Sequence, residues 1–279
     1  MPVFEKSWLL ALDLQTNRAY RKNGKTFKKL KVIFIRLYNR GDLLMKYGYV
    51  TLLSTENYLD AVLVLNESLK ANNAQYPLVA MVPQDLIATV RPKLEKADIV
   101  IEIIKRLQYS EKTCESRADK AVLNTASKIE IFTLTHWDKL VYLDADTVVL
   151  KNCDELFEYP DGAMLKTADE TWGFSGLFVI EPARHYEYPF YLTLLQNQDC
   201  FDGDLLGKTW FFVQTSEIHQ IPEKYLRSYI PQISIPSDTV VLHYINEDKP
   251  WLNPNSPRYD VGYYGAWIYM YYFDKIKKF

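Results

Sequence analysis

Cysteine is scarce: three residues in 279, with Cys114, Cys153 and Cys200 far apart. That excludes a zinc cluster of ordinary spacing and a dense disulfide framework, and it favours a reducing compartment. No apolar run approaches the ~20 residues that span a bilayer. The opening Trp8–Leu12 is too short for the apolar region of a signal peptide, and no small-residue cleavage pattern follows it. These absences lead to the expectation of a cytoplasmic protein. No Gly-x-Gly-x-x-Gly follows the first strand candidate, so the dinucleotide fingerprint is missing; bound phosphates would need a metal and cationic side chains instead. A net charge of -2 gives no sign of a nucleic-acid partner. There is no internal repeat and no low-complexity linker, which argues for one domain of catalytic size.

What is present is ordinary in bulk and uneven in detail. Hydrophobic content of 48% and charged content of 24% suit a globular chain long enough for one large α/β domain or two small ones. Residues 1–47 hold eleven Lys/Arg against three Asp/Glu, whereas the remainder holds 22 against 32. This basic stretch, with Arg18, Arg21, Lys22, Lys25, Lys28, Lys29 and Lys31 clustered, reads as an N-terminal extension. It is either solvated and disordered or an overextended gene model with Met45 as the natural start. Contact with anionic lipid or nucleic acid is the sharper alternative. The domain proper spans residues 48–279.

From there strands and helices alternate. Tyr49–Leu53 reads as a strand, Ser54–Asn57 as a polar break that can cap a helix, and residues 58–71 as that helix. Leu78–Val82 is a second strand, residues 84–96 a helix and Ile99–Ile104 a third strand. This rhythm means βαβ units and a parallel sheet. Residues 105–118 are polar and irregular, and 119–135 predict a helix. Ala163–Leu165, Gly176–Ile180 and Val240–Tyr244 predict further strands around a polar loop holding Asp169 and Trp172. The aromatic tail predicts a final helix, and its lysines Lys275, Lys277 and Lys278 suit a helix C-terminus. With the basic arm, that tail could also lie on a membrane surface, although packing against the domain is the simpler reading.

The chain is organised around residues 139–150, KLVYLDADTVVL. Leu140–Leu143 is a short, continuous apolar run, the mark of a buried strand. Burying the unpaired charge of Asp144 and Asp146 at its end would be costly. In extended chain, i and i+2 carboxylates point to one side. Such a pair at the carboxyl end of a sheet strand suits a hard divalent cation with open positions for phosphate. An acidic turn is the plain alternative.

Five stretches in order, YVTLLSTENYLDAVLVLNESL, YPLVAMV, SKIEIFTLTHWDKLVYLDADTVVLKNCDELF, FSGLFVIEP and VVLHYINEDKPW, resemble family 8 glycosyltransferases, the glycogenin and galactinol synthase group. The resemblance covers about residues 48–252. It implies an α/β GT-A fold, a single domain with a Rossmann-like, mostly parallel sheet and helices on both faces. It also implies a UDP-sugar donor, Mn²⁺ and retention of anomeric configuration. Asp144 and Asp146 match the metal-binding Asp-x-Asp, and His243 the third ligand. Imidazole beside two carboxylates favours Mn²⁺ over Mg²⁺. Lys249 matches the lysine on the donor phosphates. Leu52, Ser54, Thr55 and Tyr58 match the uridine pocket, with Tyr58 stacking on uracil, and Ala145 would line the ribose by its backbone. Lys128 matches a lysine reaching the donor, Arg117 a donor-binding arginine, Ser175 a residue of the sugar site and Asp204 a catalytic carboxylate near the anomeric carbon. Without the resemblance, His243 and Tyr58 would read as core and the lysines as solvated.

The chain also departs from the family. Phe174-Ser175-Gly176 stands where Asn-Ser-Gly is common, Asp204-Leu205 where Asp-Gln is common, and Asn246 where a glycine follows the histidine. The metal and UDP apparatus is intact, while the sugar and acceptor apparatus is altered. The leading expectation is a hexosyltransferase whose acceptor, a carbohydrate, polyol or protein, is open; homodimerisation is compatible with it. The alternative is a nucleotide-sugar-binding protein that has lost transfer. Deleting residues 1–44 is expected to leave a cooperative thermal transition in the remaining chain, measured by calorimetry. Loss of that transition would place the arm in the core.

Overall fold

A computed structural model describes residues 45–116, 122–166, 173–185, 188–197, 219–230, 233–245, 249–253 and 264–277. The basic arm up to residue 44, Arg117, the loop holding Asp169 and Trp172, the Asp204–Leu205 turn and Asn246 lie outside the described residues.

The apolar run at the start of the domain forms β1 (Tyr47–Leu52). The polar break after it is not a side-chain cap. A 3₁₀ turn at Glu56–Tyr58 leads into α1 (Leu59–Ala71), and the Tyr58 amide donates to the Thr55 carbonyl at 3.1 Å. Backbone thus does what a Ser or Thr hydroxyl was expected to do. β2 (Leu78–Pro83), α2 (Ile87–Lys96) and β3 (Val100–Ile104) follow as the alternation predicts. A short helix, α3 (Glu111–Ser116), stands within the stretch expected to be irregular.

The predicted helix over 119–135 is a 3₁₀ helix, Val122–Thr133. Runs of this length are uncommon, and the hydrogen bonds of this one supply a reason. Ser127 Oγ accepts from the Leu107 amide at 2.8 Å, and Glu130 Oε2 accepts from the Lys105 amide at 3.1 Å. Residues i and i+3 eclipse on a 3₁₀ helix and stand about 6 Å apart along its axis. An α-helix would set the two groups closer together and off one line.

The chain continues through β4 (Lys139–Leu143), β5 (Thr147–Val149), β6 (Met164–Lys166), β7 (Gly173–Ile180), α4 (Tyr188–Asn197), β8 (Arg227–Ser228), β9 (Val241–His243) and α5 (Tyr264–Ile276). Six strands make a mixed sheet in the order β3-β2-β1-β4-β7-β6. The first four run parallel, and β7 is antiparallel to both β4 and β6. A small second sheet has the order β5-β9-β8.

Side chains alternate between two cores. Tyr49, Ala80, Val82, Val141 and Leu143 face the core that includes α1, α2 and α5. Val50, Leu52, Met81, Leu140 and Tyr142 face the one built with the 3₁₀ helix and α4. Helices therefore cover both faces, and the described residues from Met45 onward form one compact unit. Among the described residues, no helix is long and apolar enough to cross a membrane. The aromatic tail packs as α5, with Ala266, Tyr269 and Phe273 buried.

Cys153 lies in the first core, its thiol donating to the Tyr49 hydroxyl at 3.4 Å, and burial pushes that thiol up to about 12. Cys153 is therefore expected to resist iodoacetamide in the folded protein near pH 8, where an ordinary thiol with a pKa of about 8.5 reacts. Peptide mass mapping should find it alkylated only after denaturation.

Candidate active site

The strand order places the site. Moving outward from β1, the chain goes one way to β2 and β3 and the other way to β4. The crevice outside the carboxyl ends of strands at such a reversal is where open α/β sheets bind ligands. Here it is flanked by residues 52–58 after β1 and by Asp144-Ala145-Asp146 after β4.

On the β1 side, Leu52 and Ser54 are buried. The Ser54 carbonyl accepts from Arg106 Nη1 at 2.9 Å, and Arg106 is itself clamped by Asp85, with Nε donating at 2.9 and 3.0 Å. That guanidinium holds the Asp85 carboxyl below its ordinary value. The half-buried Tyr58 ring meets Trp251 edge-on, with centroids 5.2 Å apart and planes at 69°. Trp251 Nε1 donates to the Asn57 carbonyl at 2.7 Å. The K-P-W stretch is thereby tied to the 3₁₀ turn that carries Tyr58.

On the β4 side the two carboxylates do not sit in extended chain. Ala145 and Asp146 form a turn, closed by Thr147 Oγ1 donating to the Asp144 carbonyl at 2.8 Å. The carboxylates converge all the same, because β5 leaves the turn to pair with β9, with Thr147 opposite His243. This second sheet closes the gap of about one hundred residues between the aspartates and the histidine. His243 Nε2 lies 2.9 Å from Asp146 Oδ1 and 3.7 Å from Asp144 Oδ2.

Two lysines complete the cluster. Lys249 Nζ donates to Asp146 Oδ2 at 2.6 Å and to the Tyr244 carbonyl at 2.7 Å. Lys128, from the 3₁₀ helix, donates to Asp144 Oδ1 at 3.0 Å and to the Ser175 carbonyl at 3.3 Å. The Tyr142 hydroxyl donates to the same Asp144 oxygen at 3.1 Å. Burial pushes the Asp146 carboxyl up, but the charges and hydrogen bonds of His243 and Lys249 outweigh it and hold it well below the usual carboxylate range. Ala145 is buried between the two acids.

This donor set fits a divalent cation. One oxygen from each aspartate and one nitrogen of His243 lie within 4.8 Å of one another. The mixture of carboxylate and imidazole suits a first-row transition metal. A cation bound there shares Asp146 with the Lys249 ammonium.

The chain matches Glycosyl transferase family 8 over residues 49–188, half of its length. It belongs to that family. Human glycogenin-2 is 32% identical over 229 residues, covering 75% of this chain and 45% of that protein. Galactinol synthase 3 of Arabidopsis thaliana is 33% identical over 140 residues, 48% of this chain and 42% of that protein. The chain thus spans less than half of either relative. In fold, it is similar to the galactosyltransferase LgtC solved in complex with donor and acceptor sugar analogs, at a TM-score of 0.54 and 15% identity over 82% of this chain and 95% of that one. The architecture is that of a GT-A glycosyltransferase.

The structure therefore brings Lys128, Asp144, Ala145, Asp146, Ser175, His243 and Lys249 to one place, with Leu52, Ser54, Thr55 and Tyr58 at the neighbouring strand end. Arg117 and Asp204 lie outside the described residues. Arg106 and Tyr142 went unread in the sequence. Arg106 stood in an irregular stretch, and Tyr142 looked like one more apolar strand residue. The Lys128 side chain is 2% exposed and that of Asp144 23%, so solvent screens the pair little. Lys128→Met is expected to lower folding stability by about 1.5–3 kcal/mol, the worth of a charged hydrogen bond. A shift of the urea midpoint measures it.

Proposed function

We propose that this protein is a Mn²⁺-dependent retaining hexosyltransferase that uses a UDP-sugar donor and transfers to a carbohydrate, polyol or protein acceptor. The observation that carries the reading is the convergence of Asp144, Asp146 and His243 with two buried lysines at the switch point of the sheet. A Mn²⁺ ion held by those three residues would supply positive charge to the diphosphate as its bond to the sugar breaks.

The side chains divide the remaining work. Residues 52–55 present backbone at the end of β1 for the uridine, and Tyr58 offers its ring, braced from the side by Trp251. Lys128 and Tyr142 fix one oxygen of Asp144, which leaves the other facing His243. Lys249 shares its ammonium between Asp146 and a carbonyl, close enough to the carboxylates to donate to a diphosphate beside them. A UDP leaving group gains negative charge in the transition state, so a fixed ammonium there lowers the barrier more than it tightens substrate binding. Retention by front-face attack needs no protein nucleophile. It is therefore compatible with Leu205 standing where the family often has glutamine.

UDP release from a panel of UDP-sugars, with Mn²⁺ or EDTA and no added acceptor, tests this reading. Metal-dependent release from one sugar is expected. Asp146→Ala is expected to abolish the Mn²⁺ dependence of UDP binding, and equal UDP affinity with and without Mn²⁺ in the wild type would sink the metal assignment. Mn²⁺-dependent UDP binding without turnover, even with candidate acceptors, would favour a nucleotide-sugar-binding protein.

A further inference from the structure

Phe174 is 37% exposed on β7, while Ser175, Leu177, Phe178 and Val179 of the same strand are buried. Its ring stands beside the charged cluster, with its centroid 5.9 Å from that of His243 and the planes tilted by 54°. Phe174 Cε1 and Asp144 Oδ2 lie 2.6 and 3.0 Å from the point where a Cβ on Gly176 would sit. The glycine therefore admits ring and carboxylate side by side, and any side chain there would force them apart. His243 meets one part of the phenyl group, and the remainder stays open beside the Asp144 carboxylate. A ligand that brings apolar surface to the same spot would cover it.

We infer that Phe174 is the platform on which the pyranose ring of the donor rests. The inference rests on the nucleotide-sugar reading above and names a residue that sets its sugar specificity. A sugar joined to a diphosphate at Asp144 and Asp146 is one ester linkage from the cluster, which is where the ring stands. The face of a phenyl group is electronegative, and a pyranose presents one face of C–H bonds polarised by ring and hydroxyl oxygens. The two are complementary. Phenyl supplies no hydrogen bond, so this wall selects for a C–H face rather than for a particular hydroxyl. An apolar wall discriminates between close analogues far less than a hydrogen-bonding one.

The test is calorimetric titration of UDP, UDP-glucose and UDP-galactose, each with Mn²⁺, into this 279-residue chain and its Phe174→Leu and Phe174→Tyr variants. Leucine keeps the apolar character and removes the ring; tyrosine keeps the ring. In Phe174→Leu, UDP affinity is expected to stay within about twofold. Affinity for at least one sugar nucleotide should fall about two- to tenfold, the range of an aromatic contact, and Phe174→Tyr should restore it. An unchanged ratio of sugar-nucleotide to UDP affinity in Phe174→Leu would overturn the platform and leave the nucleotide reading standing. Failure of UDP to bind the wild type with Mn²⁺ would overturn both.

Discussion

The buried carboxylate of Asp146 is the constraint around which the site is built. Removing such a charge from water is costly unless partners surround it. Here one oxygen faces His243 and the other faces Lys249, which reach it from a strand and a loop about a hundred residues downstream. The second sheet exists to the extent that β5 and β9 pair, and their pairing sets His243 opposite Thr147. Lys249, beyond β9, reaches Asp146, and Trp251, two residues on, packs against Tyr58. The carboxylate cluster and Tyr58 are thus linked through residues 249–251. A change at Asp146 that displaced Lys249 would be felt at Tyr58, although the two side chains come from different parts of the chain.

Most strands were legible because they are short apolar runs, and the alternating rhythm of strand and helix carried the parallel half of the sheet; β8, two polar residues, was not read. The antiparallel insertion of β7 between β4 and β6 was not legible, since a run such as Gly176–Ile180 has no direction written into it. The 3₁₀ helix was hidden for a different reason. Ser127 and Glu130 on it reach the Leu107 and Lys105 amides, and no local propensity encodes a distant pair of donors. The same holds at the cluster itself. The aspartates, His243 and Lys249 were visible as a family pattern, but the turn at Ala145 was not, nor were the positions of Tyr142 and Arg106. Tyr142 reads as core because its ring is core; only the hydroxyl at its tip belongs to the site.

The family resemblance and the physical reading agree on charge and part on shape. The carboxylates, imidazole and ammonium groups needed for a diphosphate are all at hand. A phenyl ring, Phe174, stands beside them, and Gly176 gives it room.

The docking of α5 on α1 carries a consequence for biosynthesis. Residues 59–71 are buried almost all round, and part of their cover arrives with residues 264–276, about two hundred positions later. As the chain leaves the ribosome, the β-α-β half can form early, but one flank of α1 stays bare until α5 emerges. Contacts so distant in sequence form slowly, and bare apolar surface in that interval invites association with other chains. The docking of α5 closes that interval for α1.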